Sequence, residues 1–185
     1  MNKNLILILS ILTLIGCDVA SVDVDDENYV FDGRGGMKCK VDGKLIKPKA
    51  SLNGTGLAAD INFVPFPLND EDIMSISFLS SGESPDFISE AVRIKIIDIR
   101  AESVQVGDVY QLESEIDSSF GEYGINPATD YDYSTDDQNV GELKIVFHDF
   151  ENRILGGTFE FDAVDANGNL VEIREGEFDM KYLIN

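Results

Sequence analysis

The sequence predicts an all-β domain, most simply an antiparallel β-sandwich, with a partly closed β-barrel as the alternative architecture. About eight short segments alternate apolar and polar side chains with period two, which is typical of half-buried strands. Turn dipeptides such as Asp42-Gly43 and Asn167-Gly168 separate these segments. We expect one short helical turn at most, apart from an N-terminal signal helix.

The first residues have the layout of a bacterial lipoprotein signal. Lys3 precedes an apolar run over residues 5–15, which is shorter than the roughly 20 residues that a membrane-spanning helix needs. The run ends in Leu14-Ile15-Gly16-Cys17, which resembles the lipobox that directs cleavage and lipid attachment. We therefore predict a signal peptide over 1–16 and a lipid on Cys17. Ordinary signal cleavage with Cys17 incidental is the alternative.

Lipid attachment predicts a location in the cell envelope, with the protein held to the membrane, most simply the outer membrane, through Cys17. Either the cell surface or the periplasm is compatible with the sequence. Residues 17–36 are acidic and then glycine-rich, with few apolar side chains to offset the entropy of ordering, so we expect a flexible tether there. A single β domain is expected over 37–185.

Charge and cysteine content restrict the partners. The chain carries a net charge of −21, and removal of Lys3 with the signal peptide takes it to −22. Such a chain is repelled by nucleic acid and by bare anionic membrane, whereas divalent cations are attracted; solubility alone also explains the charge. With Cys17 carrying lipid, Cys39 has no partner for an intrachain disulfide.

The first predicted strands form a hairpin over residues 37–47, turned by Asp42-Gly43. Met37, Cys39 and Val41 share one face, so Cys39 is expected to be buried. Between Arg34 and Lys49 the chain concentrates positive charges, at Arg34, Lys38, Lys40, Lys44, Lys47 and Lys49. This basic hairpin could bind an anionic ligand, or its lysines could protect a sheet edge from aggregation.

The middle of the chain predicts shorter elements. Alternation or turn residues indicate strands over 61–64, 74–78, 92–96 and 107–112, a helical turn from Ser84 through Ala91, and a loop over 121–127. Pro65 and Pro67 cannot donate to a sheet ladder and mark the edge or the end of the 61–64 strand.

The last third predicts a strand with Leu143, Ile145 and Phe147 on the apolar face and His148 on the solvent face. A second strand, with Phe159, Phe161 and Ala163 on one face, leads to a two-residue turn at Asn167-Gly168. The returning strand has Val171 and Ile173, and then Phe178, Met180 and Tyr182, at positions of opposite parity. An extra residue at Glu175-Gly176 would restore a common face, so we predict a β-bulge there.

The segment from Asp130 to Asp137 holds the densest cluster of potential oxygen ligands. Its start imitates a calcium loop, but Thr135 and Gly141 stand where such a loop needs glycine and glutamate. Asp130, Asp132, Asp136 and Asp137 are therefore candidate ligands for an irregular calcium site. A solvated acidic face opposite Tyr131 and Tyr133 explains the same pattern.

Several motifs resemble an uncharacterised family of Bacteroidota lipoproteins, a domain of unknown function. The shared parts are the lipobox, Val41-Asp42-Gly43-Lys44, the Gly-x-x-Tyr strand that starts at Gly107, the 141–150 segment, Gly157-Thr158-Phe159-Glu160-Phe161 and Gly176-Glu177-Phe178. The resemblance covers most of the mature domain. It implies the fold and the location, and it brings no activity.

The sequence identifies no catalytic residue and no cofactor other than calcium as a candidate. His148 is the one histidine, and phosphate-binding loops, dinucleotide fingerprints and nucleophile elbows are missing. We therefore expect a non-enzymatic, lipid-anchored binding or structural module. A calcium-dependent adhesion or binding module and a hydrolase that uses two carboxylates are the alternatives.

Overall fold

The computed structural model describes residues 22–48, 59–65, 71–81, 89–114, 118–126 and 131–185. These residues form twelve strands, and the all-β prediction is confirmed. The strands are β1 (Gly36–Val41), β2 (Lys44–Ile46), β3 (Ala59–Val64), β4 (Ile73–Ser81), β5 (Ser89–Ile97), β6 (Val109–Leu112), β7 (Phe120–Ile125), β8 (Tyr133–Ser134), β9 (Gly141–Asp149), β10 (Ile154–Val164), β11 (Leu170–Lys181) and β12 (Leu183–Ile184). A short 3₁₀ turn spans Ala101–Ser103. Within these ranges no helix is long and apolar enough to span a bilayer.

The strands join in one curled sheet that forms a half-barrel. Its order is β12-β3-β4-β5-β7-β8-β10-β11-β1-β2, and β6 pairs with β9, which pairs with β10. Neighbours are antiparallel except β12 and β3, which are parallel. Of the two architectures expected, the structure therefore corresponds to the partly closed barrel, because its strands belong to one hydrogen-bonded sheet.

The sheet has two halves that enclose one core. We call β3, β4, β5, β7, β8 and β12 the first half, and β1, β2, β6, β9, β10 and β11 the second half. They are joined by the Ser134–Val164 strand pair and by Tyr182, the single residue between β11 and β12. Both halves contribute to the same apolar cluster, which includes Met74 from the first half and Phe178 from the second.

The first hairpin is as predicted. Asp42 and Gly43 both adopt positive φ, 47° and 79°, which matches a two-residue turn that follows the strand twist. Met37, Cys39 and Val41 are buried on one face. Burial raises the pKa of the Cys39 thiol, as does the charge of Glu90, so the thiol stays protonated.

The predicted bulge in β11 is confirmed. Phe159 pairs with Gly176 and Phe161 pairs with Ile173, so β11 has one residue more than β10 between these two pairs. Ile173 and Phe178 consequently both reach the core, each 0% exposed. The left-handed residue is Glu175, with φ 50°, and not the glycine beside it.

Gly176 has a different role in the bulge. A Cβ atom there would lie 2.5 Å from the ring and from the carbonyl oxygen of Phe159. Glycine is therefore required for close packing against β10.

The expected loop over 121–127 is wrong where the structure describes it. β7 occupies this region and pairs with both β5 and β8. A Cβ on Gly121 would lie 3.0 Å from the Phe161 ring, so the glycine that made the segment resemble a loop instead lets the strand approach β10.

Two turns differ from expectation. Of the predicted helical turn, residues 84–88 lie outside the described ranges, and 89–91 begin β5. Residues 165–169 form a longer loop than the two-residue turn predicted at Asn167-Gly168. The Asp165 carboxylate accepts backbone N–H groups of Asn167 and Asn169, both at 2.8 Å, and hydrogen bonds from Asn169 and Asn167 lower its pKa.

His148 does not lie on the solvent face. An irregularity in the β9–β10 pairing places Phe147 opposite Gly156 and Ile145 opposite Gly157, which reverses the parity after Ile145. His148 Nδ1 lies 3.0 Å from the Val104 carbonyl oxygen, and Nε2 lies 3.1 Å from the Tyr182 hydroxyl. Both ring nitrogens therefore have partners inside the fold.

The structure also differs from the expected tether over residues 22–35, a segment we call the strap. Asp179 of β11 is 0% exposed and accepts three hydrogen bonds from the strap. The donors are the Tyr29 hydroxyl at 3.0 Å, the Asp32 amide at 3.2 Å and the Gly33 amide at 2.9 Å. Burial and the hydrogen bond to Asp179 raise the pKa of Tyr29. The hydrogen bonds to the buried Asp179 carboxylate thus order a strap whose own sequence has few apolar side chains to offset the entropy of ordering.

Apolar contacts also hold the strap. The Phe31 ring stacks on Phe147, with ring centroids 4.7 Å apart. A Cβ on Gly156 would lie 2.5 Å from Phe31, so the glycine leaves the space that this ring occupies. Val22 is 1% exposed, and the Val24 amide donates to Glu177 at 2.9 Å. The strap therefore packs along the outer face of the second half.

We predict that Gly176→Ala destabilises the domain by about 2 kcal/mol, because the new Cβ overlaps Phe159. Glu175→Gly is the matched control. It relaxes the left-handed backbone and removes the exposed ion pair with Lys40, so we expect a change within about 1 kcal/mol. Urea unfolding measures both. An unchanged Gly176→Ala variant beside a destabilised Glu175→Gly variant would contradict this assignment of roles.

Candidate functional site

A row of polar side chains crosses the outer face of the first half. Strand pairing aligns one residue from each of five strands. The sequence neighbours of the row members in β3, β4 and β5 point into the core, so the row members themselves point outward. The row consists of Asp60, Ser77, Arg93, Glu122 and Ser134.

One end of the row is a hydrogen-bonded group around Asp60. The Ser77 hydroxyl donates to Asp60 Oδ1, and the Asn62 side-chain amide donates to Asp60 Oδ2 at 2.7 Å. Both carboxylate oxygens are therefore held in place, which orients Ser77 and Asn62 as well.

The centre of the row is an ion pair that is largely shielded from water. Arg93 Nε donates to Glu122, and the side chains are 26% and 6% exposed. The Arg93 guanidinium also lies 4.4 Å from the centre of the Tyr131 ring. Burial of Tyr131 raises its pKa; the Arg93 charge opposes this shift.

Such a pair is not explained by stability alone. Removing two charges from water costs several kcal/mol per ion, and apolar residues of similar volume often stabilise a fold equally well. The pair instead fixes the centre of the row, and the half-buried Asp60, Asn62 and Ser77 beside it are the polar groups that a ligand can reach.

A second set of side chains lies beside the row. Asn62, Ser75, Lys95 and Phe120 are aligned across β3, β4, β5 and β7. The Lys95 ammonium lies 5.3 Å from the centre of the Phe120 ring. We call both sets together the polar face. Its two carboxylates, Asp60 and Glu122, balance its two cations, Arg93 and Lys95.

Two of the candidate calcium ligands, Asp132 and Asp136, accept backbone hydrogen bonds, and Asp137 is exposed. Asp132 accepts the Ile125 amide at 2.9 Å, and Asp136 Oδ1 accepts the amides of Gln138 and Asn139 at 2.9 and 2.7 Å. These bonds from Asn139 and Gln138 lower the pKa of Asp136. Asp130 lies outside the described residues.

A calcium site therefore stays a prediction. Among the residues that the structure describes, no three His, Cys, Asp or Glu side chains are grouped to hold a metal ion.

The basic hairpin is close to carboxylates. Four of its cations form ion pairs, namely Arg34–Asp32 at 2.6 Å, Lys38–Glu177 at 3.4 Å, Lys40–Glu175 at 2.6 Å and Lys44–Glu90 at 2.7 Å. Lys49 lies outside the described residues. The paired charges make an anionic ligand less suited to this hairpin than the sequence suggested, whereas β2 does lie at a sheet edge.

An acidic groove lies on the outer face of the second half. It encloses about 460 Å³, and its carboxylates are Asp25, Glu142, Glu160, Glu175 and Glu177. Asp25 comes from the strap, so the strap forms part of the groove.

The sequence did not reveal the polar face. Arg93 appeared only as the polar partner in an alternating strand, and Glu122 fell in a segment expected to be a loop. The sequence does show polar residues between apolar ones in several segments, which indicates strands with a polar outer side. Which of these polar residues lie next to each other depends on strand register, and a single sequence does not specify the register.

Comparison of the chain with protein-family models, curated proteins and solved structures finds no match. The resemblance to Bacteroidota lipoproteins therefore stays a prediction.

We predict that Arg93→Met lowers the free energy of unfolding by about 3 kcal/mol at pH 7, because Glu122 is left buried without its guanidinium. The double variant Arg93→Met/Glu122→Met also removes the buried Glu122 carboxylate, so the loss should be smaller than in the single variant. Denaturant unfolding of both variants measures the difference. A double variant less stable than Arg93→Met would show that the pair itself stabilises the fold.

Proposed function

We propose that this chain is a lipid-anchored binding module of the bacterial cell envelope, held to the outer membrane through Cys17 and acting without catalysis. The Leu14-Ile15-Gly16-Cys17 sequence supports the anchor. The polar face supports the binding role, because it holds an ion pair, an oriented carboxylate and hydroxyl groups on the side of the sheet away from the core.

The chemistry of the polar face favours an uncharged polar ligand. Among the described residues of the polar face the formal charges cancel, and these residues offer both donors and acceptors at fixed positions. A ligand rich in hydroxyl or amide groups can satisfy both kinds of group, whereas a charged ligand would face a group of its own sign. His148 is hydrogen bonded to Val104 and Tyr182 within the fold and is not part of the polar face.

The anchor can be tested by metabolic labelling. Cells that express the full chain are fed an alkyne fatty acid, and the label on the protein is measured. Cys17→Ser is expected to abolish labelling and release the domain from membranes. Cys39→Ser is the matched control and should remain labelled, because Cys39 is buried in the core. Persistent labelling of Cys17→Ser would refute the anchor.

The binding role can be tested by thermal shift with a panel of uncharged oligosaccharides and amides beside acidic and basic small molecules. An uncharged compound is expected to raise Tm, since a ligand at 100 times its Kd adds about 2.7 kcal/mol. Asn62→Ala/Ser75→Ala should remove the shift while leaving the unliganded Tm nearly unchanged. Shifts restricted to charged compounds, or no shift at millimolar concentration, would count against this role.

A further inference from the structure

The strap and the polar face lie on opposite sides of the core. Phe178 points into the core, so its neighbour Asp179, which holds the strap, points outward from the second half. On the first half, Val92 and Ile94 point into the same core, so Arg93 between them points outward in the other direction. The core thus separates the strap from the polar face.

The start of the strap is fixed to the second half. Val22 is 1% exposed, and the amide of Val24 donates to Glu177 of β11. Cys17 lies five residues before Val22. Fully extended, five residues span at most about 17 Å.

This length is short compared with the domain. A compact domain over residues 37–185 has an expected radius of gyration of about 15 Å, which corresponds to a diameter of roughly 40 Å. If the polar face lay against the bilayer, the start of the strap would be on the far side of the core. A connection of about 17 Å could not then reach the membrane.

We propose that the strap turns the second half, with its acidic groove, toward the membrane and points the polar face away from it. This inference rests on the proposed lipid at Cys17. The partner surface is the lipid bilayer that carries the anchor. The short connection between Cys17 and Val22 sets the orientation, because the groove itself attracts no headgroup: it has five carboxylates, of which two are paired with lysines.

The orientation can be measured with the lipidated protein in phosphatidylcholine vesicles that contain a headgroup-linked quencher. A fluorophore is attached to a single introduced cysteine, either Glu160→Cys in the acidic groove or Ser75→Cys on the polar face. Cys17 carries lipid and Cys39 is 0% exposed, so neither competes for the label. We expect quenching at position 160 to exceed that at position 75 several-fold. Equal quenching, or stronger quenching at position 75, would overturn the proposal.

A longer connection is the control. Twenty Gly and Ser residues inserted directly after Cys17 leave the domain unchanged and extend the connection to 25 residues, with a root-mean-square length of about 28 Å. The difference between positions 160 and 75 should then largely disappear. A difference that survives the insertion would show that the short connection does not set the orientation.

The result also separates the two proposals. Mass spectrometry of the purified protein reports the lipid independently of quenching. A lipidated protein without an orientation difference refutes the orientation alone, whereas a protein without lipid refutes both.

Discussion

The extra residue at Glu175 determines which way every later side chain of β11 points. Before it, Val171 and Ile173 face the core; after it, Phe178 and Tyr182 do. Without the bulge these two sets would lie on opposite faces. The same parity turns Asp179 outward, where it accepts three hydrogen bonds from the strap. Core packing and strap attachment therefore depend on one irregularity in one strand.

This arrangement gives the domain two chemically different sides. Where the strap crosses the second half, carboxylates line a groove. On the first half, oriented polar groups with balanced charge form the polar face. With the proposed lipid on Cys17, the second half would lie near the membrane and the polar face would be free to meet a ligand. The two proposals thus follow from the same geometry.

The sequence predicted the features that depend on local periodicity and failed where register decides. Alternation of apolar and polar residues was sufficient to predict that Met37, Cys39 and Val41 are buried on one face. The bulge in β11 was predicted because its two apolar sets occupy positions of opposite parity. No glycine in the β9 sequence marks the irregularity in that strand, so simple alternation predicted the wrong face for His148.

The other failures have the same cause. β7 was missed because Gly121 looks like a turn residue but instead lets the strand approach Phe161 across the sheet. The strap was missed because its partner, Asp179, is 147 residues away from Asp32. Amide hydrogen exchange on the intact protein tests the central claim, that the strap belongs to the folded domain. Val24, Asp32 and Gly33 should exchange at least about tenfold more slowly than in an unstructured peptide. Exchange at the unstructured rate would contradict the account.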